Sequence, residues 1–178
     1  MPESVGRRWV TVLLAGLCAG LPALAQDGRR PDAGARWMAQ VTYVVDGDSV
    51  WVRGEVDGQR RRVRLDGIDA PEICQDSGRE ARAALQAMVL KRRVRVIGRA
   101  YDDYGRLIAT LEQDGQDVAQ RLVAGGWAWG HRYEHYPVTY GAEEEAARQA
   151  RHGLFAQATP ELPADFRRRH GPCTRPTR

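Results

Sequence analysis

Lysine is almost missing from this chain: Lys91 stands alone, and the other basic residues among the 27 Lys+Arg are arginine. Cysteine is nearly as scarce, three in 178 residues, which excludes a small scaffold built on disulfides. No CxxC or HExxH string occurs, so the common short zinc patterns are excluded as well. No apolar run reaches the roughly 20 residues that span a bilayer, and no internal repeat is visible. Apolar residues are not lacking. A 43% hydrophobic and 28% charged composition excludes disorder and fibrous structure, and 178 residues suit one domain with a short tail. The net charge of +4 permits an anionic partner without requiring one.

Arg7 and Arg8 precede an apolar run from Trp9 to Leu21, followed by Pro22 and Ala23-Leu-Ala25. A positive start, a short apolar stretch and an A-x-A site predict a signal peptide over residues 1–25, cleaved after Ala25. The mature protein is therefore expected to be secreted or periplasmic, with no membrane anchor. Arg7, Arg8 and Glu3 leave with the peptide, which lowers the net charge from +4 to +3. Cys18 leaves too, so Cys74 and Cys173 remain. In an oxidising compartment a Cys74–Cys173 disulfide is the expected state, with two free thiols as the alternative. The bridge would close a loop of about 100 residues, for which chain entropy sets a ceiling of about 4–5 kcal/mol.

Residues 26–38 read as a flexible leader, 39–156 as the folded domain and 157–178 as an irregular Pro/Arg-rich tail. Val41-Thr-Tyr-Val-Val runs to the turn pair Asp46-Gly47, Val50-Trp-Val-Arg resumes, and Asp57-Gly58 turns into Arg60-Arg-Arg-Val-Arg-Leu65. In that third strand Val63 and Leu65 share one face and Arg62 and Arg64 the other. Ser77-Gly-Arg-Glu80 predicts a capping box. Behind it Ala81, Ala84, Leu85, Met88 and Val89 form one helical stripe. Val94–Ile97 and the alternating Leu107, Ala109 and Leu111 predict two more strands. Asp117 is placed to cap a second helix that stops at Gly125-Gly126, and Thr139 to cap a third. Glu143–Glu145 are expected on the solvated face of that third helix, with Gly153 ending it. Three strands, a helix, two strands and further helices is the element order of a small α+β protein: a five-stranded OB-fold β-barrel with three helices.

Three polar clusters fall in turns and strand ends, where functional residues concentrate. They are Asp46-Gly-Asp-Ser49, Arg64-Leu-Asp-Gly-Ile-Asp-Ala-Pro-Glu72 and Tyr101-Asp-Asp-Tyr-Gly-Arg106. Each alone is readable as a turn. Together they hold carboxylates suited to a hard cation, two arginines able to bracket a phosphate, and a spare carboxylate to orient or deprotonate water. Those are the parts of metal-assisted phosphodiester hydrolysis.

The same strings, with Gly78-Arg-Glu-Ala81 and Gly153-Leu-Phe155, occur in order and at the spacing that resembles the staphylococcal nuclease (thermonuclease) family, from about Val41 to Phe155. The resemblance implies Ca²⁺ held by Asp48, Asp69 and the backbone carbonyl of Ala70. It makes Glu72 the general base or water-positioning carboxylate and Arg64 and Arg106 the phosphate clamps, with Tyr104 in the nucleotide site. It implies a nuclease acting on DNA and RNA by cleavage of the 5′ P–O bond, leaving 3′-phosphates. A monomer is expected. Ser49 and Asp103 depart from the prototype, the latter replacing a lysine, and Tyr133 and Tyr136 compete for its second tyrosine. The tryptophans, the histidines and the arginine runs at 60–62 and 92–95 are read as packing or solvated groups. The competing reading keeps the barrel but makes it a non-catalytic nucleic-acid- or protein-binding module.

Overall fold

A computed structural model describes residues 33–132 and 138–173. The expected signal peptide, most of the leader, and Tyr133, His135 and Tyr136 lie outside the described residues.

The three opening strands are β1 (Arg36–Val44), β2 (Ser49–Gly54) and β3 (Arg60–Leu65), an antiparallel meander. Alternation decides their faces: Val50, Val52, Val63 and Leu65 are buried, while Trp51, Arg53, Arg62 and Arg64 lie on the other face, partly or fully exposed. A two-residue strand, β4 (Ile68–Asp69), precedes helix α1 (Gly78–Val89). Then come β5 (Arg93–Tyr101), β6 (Leu107–Gln113), β7 (Gln116–Asp117), α2 (Val118–Ala124), β8 (Trp129–Gly130), α3 (Gly141–Gln149) and α4 (Pro163–His170). Strands pair in the order β3-β2-β1-β5-β6-β7, and β3 also pairs in parallel with β6, which closes a five-stranded barrel. This is the expected OB-fold.

Valine and leucine from all five barrel strands fill the interior, and one end is covered by Ala81, Leu85 and Val89 of α1 with Leu122 and Val123 of α2. Each fully buried Val or Leu stabilises the fold by roughly 1.5–3 kcal/mol, so the barrel rests mainly on this apolar set. No helix among the described residues is long and apolar enough to cross a membrane.

Several local expectations are corrected. Ser77 does not cap α1; it sits at φ 64 and its hydroxyl accepts from Gln157 Nε2 at 3.0 Å. A capping side chain needs an extended backbone, and Ser77 is left-handed in the tight turn where a Cβ on Gly78 would lie 1.9 Å from the Glu72 carbonyl oxygen. Asp117 does cap α2, through Ala119 and Gln120 amides. Thr139 does not cap α3. Tyr140 holds that position at φ 56, and its hydroxyl donates to Asp117 Oδ2 at 2.7 Å. At the far end Arg151 takes the left-handed position (φ 52), and Gly153 instead opens a single 3₁₀ turn, Gly153–Ala156.

Glu144 is not solvated but 3% exposed. Its Oε2 accepts from the Gly130 amide (2.8 Å), and its Oε1 from Arg132 (2.8 Å) and Arg148 (2.7 Å). Burial pushes its carboxyl up, but Arg148, the Gly130 amide and Arg132 outweigh burial and hold it below the ordinary range. The tail is not irregular either, for α4 is a fourth helix. Local signals missed it because only Pro163 of its residues is buried. Its anchors are polar and distant in sequence.

Candidate active site

The β1–β2 turn supplies two carboxylates. Val45 donates its amide to the Ser49 carbonyl (2.8 Å) and Asp48 donates its own to Asp46 Oδ1 (3.1 Å), so the Asp46-Gly-Asp-Ser49 string is a hairpin turn and a cluster at once. Asp48, 5% exposed, accepts from Ser49 Oγ (2.9 Å) and the Ala70 amide (3.1 Å) and pairs with Arg64. Burial raises its carboxyl, yet Arg64, the Ala70 amide and Ser49 together hold it below the usual range. Asp46 goes the other way. Burial and the neighbouring Asp48 charge push it up to about 7.

Arg64 lies on the outward face of β3. Its guanidinium spans two carboxylates, reaching Asp48 through Nη1 and Asp69 Oδ1 (3.0 Å) through Nη2, which also donates to the Ile68 carbonyl at 3.2 Å. Burial works against that charge, and the two aspartates more than restore it. Asp69 itself is set by the β4–β8 pairing, opposite Trp129.

Glu72 follows Pro71 in a loop braced by Gln75, whose Oε1 accepts the Glu72 amide at 3.1 Å and whose own amide donates to the Glu72 carbonyl at 2.8 Å. The turn before β6 is organised by Asp102. Its Oδ1 accepts the amides of Tyr104 (3.0 Å) and Arg106 (2.9 Å), and its Oδ2 accepts Arg106 Nε (2.6 Å). Tyr104 is 85% exposed, and the Arg106 guanidinium stands 5.5 Å from its ring centre.

Barrel closure unites these loops. The parallel register Val63↔Leu107 and Arg64↔Ile108 sets Arg64 beside the strand that Arg106 precedes. Asp48, Arg64, Ala70, Glu72, Tyr104 and Arg106 line one cleft of about 590 Å³, and Asp69 joins it through Arg64. Cys173 lines the same cleft from the tail and is disulfide-bonded to Cys74, Cα–Cα 5.8 Å.

Three contributors escaped the sequence reading. Asp46 was visible only as part of a turn, and Asp102 as one acid of a pair. Arg167 of α4 reaches Glu72 Oε1 (2.8 Å) and Asp69 Oδ2 (3.2 Å) from the tail. One signal pointed to it: pairing Cys173 with Cys74 brings the run Arg167-Arg-Arg169 to the Glu72 loop.

The donors around Asp48 and Asp69 are all oxygens, the chemistry of a hard cation. Among the described residues no three His, Cys, Asp or Glu side chains group as a metal cage. A cation there would draw on the two aspartates, the Ala70 carbonyl and water. Asp46 stands beside Asp48, held at about 7 by burial first and by the Asp48 charge second.

A family model described as staphylococcal nuclease homologue matches residues 62–157. An uncharacterized endonuclease of Escherichia coli is 36% identical over 133 residues, covering 73% of this chain and 84% of that protein. A micrococcal nuclease of Shigella flexneri is 34% identical over 148 residues, covering 76% and 83%. A probable staphylococcal-like nuclease of Oryza sativa subsp. japonica is 36% identical over 145 residues. It is longer: the match covers 81% of this chain but 43% of the rice protein.

Proposed function

The chain belongs to the staphylococcal nuclease family, and from that premise we propose that it is a cation-dependent nuclease hydrolysing phosphodiester bonds of DNA and RNA. The observation that carries this is the single cleft holding Asp48, Arg64, Glu72 and Arg106. Asp48, Asp69 and the Ala70 carbonyl would hold the cation, Ca²⁺ in our reading, which when bound supplies charge neutralisation on the phosphate. Arg64 and Arg106 approach from neighbouring strands, and their guanidinium forks complement the charge gained at a five-coordinate phosphorus. Glu72 orients a water, or takes its proton, for in-line attack at phosphorus. The 5′ oxygen leaves, so the products carry 3′-phosphates and 5′-hydroxyls. Contacts to phosphate rather than base edges make the binding salt-sensitive and weakly selective in sequence. An extracytoplasmic location, expected from the signal peptide, suits the Cys74–Cys173 bridge.

The test uses the mature protein with single-stranded DNA and with RNA, in Ca²⁺ or in EDTA, beside Glu72→Gln. Cleavage in Ca²⁺, its loss in EDTA and a fall of about 10²–10⁴-fold in the variant are expected. Product ends that accept phosphate from a polynucleotide kinase mark 5′-hydroxyls. Intact nucleic acid in every lane would leave the binding-module reading standing. Cleavage indifferent to EDTA would remove the cation and keep the hydrolase.

A further inference from the structure

Arg167 has no counterpart in the motifs that define the cleft, and it lies beyond the 62–157 family match. Its Nη1 donates to Glu72 Oε1 at 2.8 Å and to Asp69 Oδ1 at 3.4 Å, and its Nη2 to Asp69 Oδ2 at 3.2 Å. We propose that Arg167 is a positioning residue of the active site: held by the Cys74–Cys173 disulfide, it ties Glu72 to Asp69 and so sets the water-activating carboxylate against the cation-binding one. This rests on the nuclease reading above.

Two features favour positioning over blockage. Arg167 takes only one oxygen of Glu72; among the described residues nothing bonds Oε2, which is left for water in the cleft that Glu72 lines. Among the described residues nothing bonds the terminal nitrogens of Arg106 either, because Asp102 takes only its amide and Nε. A plug would consume those groups; Arg167 shares only Asp69 with Arg64, so a cation bound there would take over part of that contact while the Glu72 contact remains.

The latch is equally specific. Helix α4 is eight residues long and buries only Pro163, so neither its length nor apolar packing holds it in place. It is tied at both ends to the loop that carries Glu72. Before the helix, the Glu161 carbonyl accepts from Gln75 Nε2 at 2.6 Å. After it, Cys173 is bonded to Cys74, whose amide also donates to Cys173 Sγ at 3.1 Å. Arg168 and Arg169 are spent on Asp165 and Glu161, so of the three adjacent arginines only Arg167 lines the cleft. One guanidinium bridging two carboxylates removes their independent rotamers, the kind of preorganisation that a catalytic pair needs.

The experiment measures kcat and KM of the full mature chain on a single-stranded oligonucleotide in Ca²⁺. It compares wild type, Arg167→Ala, Arg167→Lys, the Cys74→Ser/Cys173→Ser double variant, and that double variant combined with Arg167→Ala. Thermal melts confirm that each is folded at the assay temperature. Arg167→Ala should lower kcat about tenfold, with a smaller rise in KM. Arg167→Lys should recover part of the loss, since an ammonium reaches one carboxylate but cannot fork across two. The double cysteine variant should lose kcat to a similar extent, and adding Arg167→Ala to it should lose little more, because both act through one contact. Wild-type or raised kcat in Arg167→Ala would overturn the proposal, and so would fully additive losses. Glu72→Gln runs alongside. If it too is fully active the assignment of Glu72 fails, and the positioning role with it. Absence of cleavage by wild type sinks the nuclease reading itself, whereas an inactive Glu72→Gln beside an unaffected Arg167→Ala sinks only the positioning role.

Discussion

Two clusters in this molecule use the same ingredients, carboxylate and arginine, to different ends. Around Glu144 one carboxylate meets Arg132, Arg148 and the Gly130 amide. Base outnumbers acid and both carboxylate oxygens are engaged. In the cleft, Arg64 and Arg167 are shared among Asp48, Asp69 and Glu72, while Asp46 is acted on by burial, Asp48 and Ser49. Burial pushes both Glu144 and Asp46 up, but the surrounding cations bring Glu144 below its ordinary range while Asp46 ends at about 7. Burial is the largest influence on both; what separates them is that arginines stand against it at Glu144, whereas a second carboxylate adds to it at Asp46.

The largest test of that contrast is a pair of variants. Glu144→Ala should cost about 2–4 kcal/mol in thermal or denaturant melts, by stranding the Gly130 amide and parting two ion pairs, yet leave kcat of the folded protein near wild type. Glu72→Gln should do the reverse, keeping stability and losing activity. A Glu144→Ala protein that melts normally but cleaves poorly would erase the distinction.

A smaller effect concerns pH. Asp46 has a folded value above its unfolded one, so its protonated form stabilises the fold below about pH 4, and that contribution is lost as the pH rises toward about 7. Glu144 has the opposite sign, its contribution present above its ordinary value and lost as the pH falls through its lowered folded value. Asp46→Asn keeps an acceptor for the Asp48 amide. In EDTA it should raise stability at pH 8 by about 1–2 kcal/mol and leave it nearly unchanged at pH 4. An equal gain at both pH values would show that Asp46 is not the strained charge of the cleft. The smallest effect is expected at the rim. Tyr104, 85% exposed, can stack on a base, so Tyr104→Ala should raise KM for single strands by a factor equivalent to about 1 kcal/mol without changing kcat.

Much of the cleft was legible because its carriers sit in short strings. Arg64 was assigned to the face opposite Val63 by alternation alone, and the turn glycines and Pro71 marked the loops where Asp48, Asp69 and Glu72 stand. Ser77 and Thr139 misled because capping rules assume a free approach to the helix. The left-handed backbone of Ser77, in the turn that brings Gly78 against the Glu72 carbonyl, removes that freedom at α1. Glu144 misled because a run of three glutamates reads as solvated until a second element, here β8 and Arg132, folds over one of them.

The sequence by itself determined the barrel and its family, since period-two alternation and turn chemistry act between neighbours, and the motif strings are local. It also named most of the acids and bases of the cleft. Only the tertiary structure decided which of them share charge. The contact of Arg167 with Glu72 spans 95 residues and the disulfide that supports it spans 99, and neither leaves a periodic trace along the chain. Whether a buried carboxylate becomes a brace like Glu144 or stays raised beside another acid like Asp46 depends on whether the fold brings arginines against it, and that is set by long-range packing.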